Sequence, residues 1–317
     1  MIKIGLLVQP GFQVLSLACM SVFEMANYTA EEELYEIRIV SEEGGPVRSS
    51  VGATVETAPF VRARFDTLIV VGIPQPAPSS PGIVSYVGKS LDRFRRVTSI
   101  CTGAFILGEA GLLDGRRATT HWKYARDLAR LYPNAQVEED RIFIIDDGVW
   151  TSAGMTAGID LALGMVEKDF GLDLAREVAR KMVVYHRRAG GQSQHSALLD
   201  MDAKSDRIQS ALAYAKRNLR KPLSVEDLAE VAHLSPRQFS RAFRAETGKS
   251  PAKAVEHLRL EAARVMIEQS HHPIDVVATE TGFADRERMR RAFLRAFGQP
   301  PQVLRRMARM ETVVGAA

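Results

Sequence analysis

Residues 228–251 and 277–301 read as two copies of one unit. LAEVAHLSPRQFSRAFRAETGKSP lines up with VATETGFADRERMRRAFLRAFGQPP, one residue longer in its turn, and the Arg-Ala-Phe triplets begin at Arg241 and Arg291. Each copy predicts a helix, a tight turn and a second helix that ends in Gly with Pro close behind. Ser224 and Asp227 make a capping-box-like start for the first helix. Ser235 and Pro236 make an N-cap and first-turn pair for the second. Phe239 and Phe243, like Met289 and Phe293, stand four apart on one helix face and should be core. Residues 253–269 predict a connecting helix, and no strand signal follows about Asp206. Such a stretch can fold only as an all-α unit built from two helix-turn-helix motifs.

With the Phe pair turned inward, the first copy presents Arg237, Gln238, Ser240, Arg241 and Arg244. The second presents Arg286, Glu287, Arg290 and Arg291. Arg can bind guanine bidentately, Gln can bind adenine and Glu can accept from cytosine, so these side chains form a set able to read double-stranded DNA. Charge agrees. The chain carries +4 overall, yet residues 206–317 hold 20 Lys and Arg against 13 Asp and Glu, which leaves the remainder slightly acidic. Only the C-terminal third is expected to meet a polyanion.

The N-terminal part alternates strand and helix. Ile2–Val8, Tyr35–Val40, Asp66–Val71 and Val97–Ile100 predict strands, and residues 13–27 and Gly82–Phe94 predict helices between them. DTLIVV is wholly apolar, as a strand buried on both faces must be. This rhythm predicts an α/β, doubly wound, mostly parallel sheet. Arg141–Ile145 and Val149–Ser152 flank Asp146-Asp147-Gly148, a hairpin signal, and a helix near Thr156–Asp169 closes the domain. HRRAGGQSQHSALLDMD then has the composition of a connector. The expected organisation is therefore a first domain over 1–185, a linker over 186–205 and a DNA-binding domain over 206–317. With 46% apolar and 25% charged residues, 317 residues suffice for two cores. The opening residues look like a first strand rather than a signal peptide, and no apolar run is long enough for a bilayer. Cys19 and Cys101 lack metal-type spacing, and His271-His272 has no third ligand nearby. A reduced cytoplasmic protein with no metal, no cofactor and no membrane contact is expected.

RVTSICTGAFILGEAGLL runs from a β-branched strand through Cys101-Thr102-Gly103 into an apolar helix. A strand-to-helix elbow is where a nucleophile sits, and the helix terminus should lower a thiol pKa. A working hydrolase also needs a base, an orienting acid and oxyanion donors.

Residues 206–309 resemble the DNA-binding domain of AraC/XylS-family transcription regulators. The resemblance rests on the two copies quoted above and the linking HLRLEAARVMIEQS. It implies two recognition helices in successive major grooves, an activator more often than a repressor, and contact with RNA polymerase at the promoter. The second copy departs in being rich in arginine. RVTSICTGAFILGEAGLLDGRRATTHW and VWTSAGMTAGIDLALGMVEKDFG resemble class I glutamine amidotransferase-like, PfpI-type domains, which are flavodoxin-like. More narrowly they resemble those fused to AraC-type domains as sensors, and RRAGGQSQHS resembles the connector of that subset. His121 matches the family position of a histidine beside the cysteine. This chain has Ser16 near where the family carries an acid, Gly72-Ile73-Pro74 where enzymes show Gly-Gly, and Ile100 before the cysteine. The resemblance thus implies a small-molecule effector, an amino acid or amine among the candidates, bound near Ser16, Ile73, Cys101, Thr102 and His121. It also implies a homodimer and a vestigial rather than catalytic Cys101. A Cys101-dependent amidase or protease, and a thiol redox sensor, stay open as alternatives.

Overall fold

The computed structural model describes residues 1–184, 188, 190, 194, 205–270, 272–297 and 299–306. Most of the stretch 186–205 and His271 lie outside the described residues. Two units form, Met1–Gln194 and His195–Ala317.

The first unit is built on ten strands: β1 (Ile2–Leu7), β2 (Tyr35–Ser41), β3 (Gly45–Arg48), β4 (Thr54–Pro59), β5 (Thr67–Val71), β6 (Arg96–Ile100), β7 (Arg117–Ala118), β8 (Gln136–Val137), β9 (Phe143–Asp146) and β10 (Val149–Ser152). Eight of them make one sheet in the order β3-β4-β2-β1-β5-β6-β10-β9. Its six central strands are parallel, and β3 and β9 are antiparallel edges. Period-two alternation divides the core. Ile4, Leu6, Ile69 and Val71 face one side, and Leu7, Leu68, Val70 and Val97 the other. Helices α1 (Ala18–Ala30), α5 (Ala157–Phe170) and α6 (Leu172–Lys181) cover the first face. Helices α2 (Pro81–Gly88), α3 (Gly103–Glu109) and α4 (Ala125–Leu131) cover the second. The doubly wound, mostly parallel architecture agrees with the pattern of apolar runs.

Three differences have local causes. The hairpin β3–β4 carries too few apolar residues to announce itself, because it lies at the sheet edge. Helix α2 ends at Gly88 rather than near Phe94, where Ser90 caps a turn by receiving the Phe94 N–H. Helix α5 does not close the unit. Gly171, with φ of 93°, breaks the chain and starts α6. At the foot of α5 the Asp169 carboxylate, with no exposed side-chain surface, takes hydrogen bonds from Arg95, Arg96 and the Tyr35 hydroxyl. Arg96 in turn lies over the buried Trp150 ring.

The first unit extends past residue 185. Arg188, Gly190 and Gln194, from the stretch read as a free connector, are hydrogen-bonded to it. A polar composition can mark a solvated chain or one that satisfies a folded surface, and here the described part does the latter.

The second unit is helical, with α7 (Asp206–Arg217), α8 (Val225–Val231), α9 (Pro236–Thr247), α10 (Pro251–Gln269), α11 (Ile274–Glu280) and α12 (Arg286–Phe297). Each sequence repeat owns a core: Phe239 and Phe243 lie in one, and Met289 and Phe293 in the other. Helix α10 serves both. Ala254, Val255 and Leu258 close the first core, and Leu260, Ala263 and Ile267 the second. Arg259 donates to the carbonyls of Leu219 and Lys221, tying α10 to the end of α7. Among the described residues no helix is long and apolar enough to cross a membrane.

Candidate functional site

The sheet's direction reverses at β1, whose neighbours β2 and β5 lead to opposite edges. Crevices at the carboxyl ends of such strands are where α/β folds bind ligands. The turn after β1, the exit of β5 and the exit of β6 meet there. Cys101 ends β6 with φ of 57°, a left-handed conformation that costs a side-chain-bearing residue about 1–3 kcal/mol. The surroundings hold that strain in place. Its N–H donates to the Ser152 carbonyl, and its carbonyl accepts from Thr120 Oγ1 at 2.8 Å. Thr102 Oγ1 donates to the Ile73 carbonyl at 2.5 Å. Gly154, with φ of 81°, backs onto the elbow so closely that a Cβ there would lie 2.1 Å from Cys101 Cβ. Gly72 is equally constrained, since its Cβ would lie 2.0 Å from Thr102 Oγ1.

The thiol does not behave as the helix terminus alone would suggest. Cys101 is 3% exposed, and burial pushes its pKa from 9.0 to about 11, against a smaller opposite pull from Thr102. Desolvating an anion costs more than one short helix returns, so the expected lowering is reversed. At neutral pH the group is a protonated thiol. Cys19, in α1, is likewise buried and raised to about 12.

Ser16 is buried in the turn after β1, and among the described residues its Oγ has no hydrogen-bond partner. Gln13 Oε1, on the same turn, is also buried without a partner among them, and the Gln13 N–H is tied to the Gly72 carbonyl. His121 is half-buried. Its Nδ1 accepts the Lys123 N–H, and the ring lies near Trp122 and Tyr124. The residue before it, Thr120, makes the elbow contact. Ile73 contributes its carbonyl, and Ile100 is core.

In the second unit Arg237, Gln238, Arg241 and Arg244 are exposed along α9, with Ser240 half-buried. Arg286, Glu287 and Arg291 are exposed on α12, with Arg290 half-buried. Both helices start from a capped turn, Ser235 accepting the Gln238 N–H and Asp285 the Arg288 N–H.

Residues 228–307 match a helix-turn-helix domain family, and residues 7–168 match the DJ-1/PfpI family. The HTH-type transcriptional regulator CdhR of Pseudomonas aeruginosa is 32% identical over 302 residues, 93% of this chain and 89% of that one. An AraC family transcriptional regulator from Pseudomonas putida shares the fold of the first unit. Its crystal structure superposes with a TM-score of 0.53 at 20% identity, covering 57% of this chain and all of that one. The chain belongs to the AraC-type helix-turn-helix transcription regulators that carry a DJ-1/PfpI domain. The latter family also includes enzymes: isonitrile hydratase of Pseudomonas putida is 36% identical over 149 residues, 45% of this chain and 63% of that one.

As a DNA-binding regulator the chain presents two unlike recognition helices. Gln238, read from the sequence as a base contact, also closes a capping box. Its Oε1 accepts from the Ser235 N–H and hydroxyl at 3.2 and 2.7 Å. A side chain in the first turn of a helix can serve the backbone or the groove, and Gln238 is exposed on the outer face of α9. On α12 the Glu287 carboxylate takes two hydrogen bonds of 2.8 Å from Arg290 and lies 3.7 Å from Arg291. Glu287 is held below the usual carboxylate range first by the Arg290 hydrogen bond, then by the charges of Arg290, Arg291 and Arg286. Arg288, one of the arginines that enrich the second copy, occupies the place equivalent to Gln238 and is exposed. Sequence reasoning missed Gly154, Gln13 and Thr120 as elbow residues. A Gly two residues past a strand was a usable signal for the first; nothing local marks the other two.

Among the described residues no three His, Cys, Asp or Glu side chains are placed to hold a metal ion.

Proposed function

We propose that the DJ-1/PfpI unit is a non-catalytic sensor, and that a small metabolite bound at the carboxyl ends of β1, β5 and β6 controls promoter binding by the helix-turn-helix unit. The observation that carries this reading is the state of Cys101: strained into nucleophile geometry, yet buried and protonated. A nucleophile needs the thiolate. In the turn after β1, where the Gln13 N–H is tied to the Gly72 carbonyl at the exit of β5, two buried polar atoms, Ser16 Oγ and Gln13 Oε1, have no hydrogen-bond partner among the described residues. Each such group costs about 1–3 kcal/mol until something satisfies it. Gln13 Oε1 can only accept, so a ligand bearing N–H or O–H groups fits, which an amine, amide or amino acid supplies. Ser16, Ile73, Cys101, Thr102 and His121 form the proposed lining.

On the DNA side Arg237, Gln238, Ser240 and Arg241 of α9 and Arg286, Glu287, Arg290 and Arg291 of α12 face the bases, and Arg244 holds phosphate. The regulator works in the cytoplasm as a homodimer that activates by contacting RNA polymerase. Its helical unit folds separately from about Asp206. A thermal-shift screen of amino acids and amines against the full chain tests the reading, because a ligand that binds only the native state raises the midpoint. Ser16→Ala should abolish the shift of any hit. If no compound shifts the wild type, the sensor reading fails.

A second reading has one support. The likeness to isonitrile hydratase and the elbow geometry suit a Cys101-dependent enzyme. Isonitrile hydration or amide hydrolysis lost in Cys101→Ser would promote it over the sensor.

A further inference from the structure

Arg188, Gly190 and Gln194 sit in the part of the chain that leads towards α7, and their contacts are unlike those of a spacer. Gln194 Oε1 accepts the Trp122 N–H at 2.9 Å, and its Nε2 donates to the carbonyls of Thr120 and Glu139 at 2.8 and 3.1 Å. The Gln194 N–H is received by the Asp140 carboxylate. Arg188 grips the 3% exposed Asp160 through its backbone N–H and Nε, at 2.8 and 2.9 Å, and reaches Thr156 Oγ1 at 2.7 Å. Between them the Gly190 carbonyl accepts from the N–H groups of Ile142 and Phe143.

These anchor points are the two walls of the elbow. Thr120, held by Gln194 through its carbonyl, holds the Cys101 carbonyl through its hydroxyl. Thr156 and Asp160, held by Arg188, open α5 immediately after Gly154, which backs onto Cys101 Cβ. A buried carboxylate is costly to desolvate, and a flexible tether would have no use for one. Gln194 can make these side-chain bonds, and a longer one to Thr119 Oγ1 at 3.5 Å, only while Thr119, Thr120, Trp122 and Glu139 keep their present spacing.

We propose that Arg188, Gly190 and Gln194 form a read-out strap. Occupancy of the elbow shifts the Thr120–Trp122 and Gly154–Asp160 walls and so changes how firmly Arg188 and Gln194, which precede the DNA-binding unit in the chain, are held. This rests on the sensor reading and adds the route by which occupancy is reported.

The test uses the full chain and a probe that fills the elbow. Methyl methanethiosulfonate at pH 9 places a methylthio group on Cys101, with methanesulfinate leaving. Trypsin cleavage after Arg188 and deuterium exchange at the Trp122 amide are then followed. Two sites linked by a coupling free energy should respond by at least about fivefold, the adduct raising both rates. Gln194→Ala and Asp160→Asn should raise them without the probe and leave the adduct little to add, while Cys101→Ser stays silent. If the buried thiol resists labelling, Cys101→Met supplies comparable bulk. Unchanged cleavage and exchange in the filled wild type overturns the strap, as does an undiminished adduct effect in Gln194→Ala. Either result leaves the metabolite thermal shift standing, so the two readings fail separately.

Discussion

Thr102 gives its one hydroxyl proton to the carbonyl oxygen of Ile73, 2.5 Å away, joining the exit of β6 to the exit of β5. What the Thr102 N–H and hydroxyl offer a Cys101 thiolate is smaller than the cost of burying it. Iodoacetamide should therefore alkylate Cys101 at pH 7 at least about 100-fold more slowly than free cysteine, whose pKa is about 8.5. The rate should climb until about pH 11. The sign for stability follows. A pKa raised on folding means the native state keeps its proton while the unfolded chain loses it, so stability is full below the ordinary thiol value and falls as pH rises towards about 11. Urea midpoints at pH 8 and pH 10 measure the loss. Fast alkylation at pH 6 would contradict the burial argument.

Gly154→Ala should be severely destabilising. The new methyl meets Cys101 Cβ at 2.1 Å in a backbone with φ of 81°. The combined clash and strain should cost about 3 kcal/mol or more, read from chemical unfolding of the chain. Gly171→Ala is the control for backbone strain alone, with a similar φ, a ψ of 167° and nothing within 4 Å of its Cβ, and should cost about 1–3 kcal/mol.

Asp169→Ala should cost about 3–5 kcal/mol, because it strands the Arg96 guanidinium, whose side chain is 4% exposed. The double variant with Arg96→Met should recover part of that loss. Thermal melts of the single and double variants decide it.

On DNA, Arg241→Ala should weaken specific binding by about 1–3 kcal/mol and relax one base position, whereas Arg244→Ala should weaken all sequences alike and flatten the salt slope by about one unit. Glu287→Gln should act oppositely. It releases Arg290 from its carboxylate partner, so non-specific affinity rises and the slope steepens. Footprinting and salt titrations separate these outcomes.

Gln238→Ala should affect the helix as well as base choice. It removes the acceptor that closes the Ser235 box, at about 0.5–2 kcal/mol, the range for a lost cap. Helical stability should fall, and preference at one base position should relax with it. A ranking of DNA sequences that is fully kept would confine Gln238 to its cap.

The repeated helix-turn-helix, the apolar faces of α9 and α12 and the parallel sheet were all legible in the sequence, because each depends on periodicity and caps within one element. Phe239, Phe243, Met289 and Phe293 announce their burial by spacing alone. What spacing could not decide is which of two local chemistries a residue performs once other elements pack around it. The Cys101 pKa depends on how completely its surroundings exclude water, and Gly154 lies 53 positions away in sequence. Gln238 and Glu287 were recognisable as polar and outward, but whether each spends its oxygens on a neighbour or on DNA depends on rotamers set by the folded turn. Above all, the Gly- and Gln-rich stretch after α6 looks like slack chain, because composition records what a residue can bond and not what is within reach. Only the fold brings Thr120, Trp122 and Asp160 to Gln194 and Arg188, seating those two residues on the first unit.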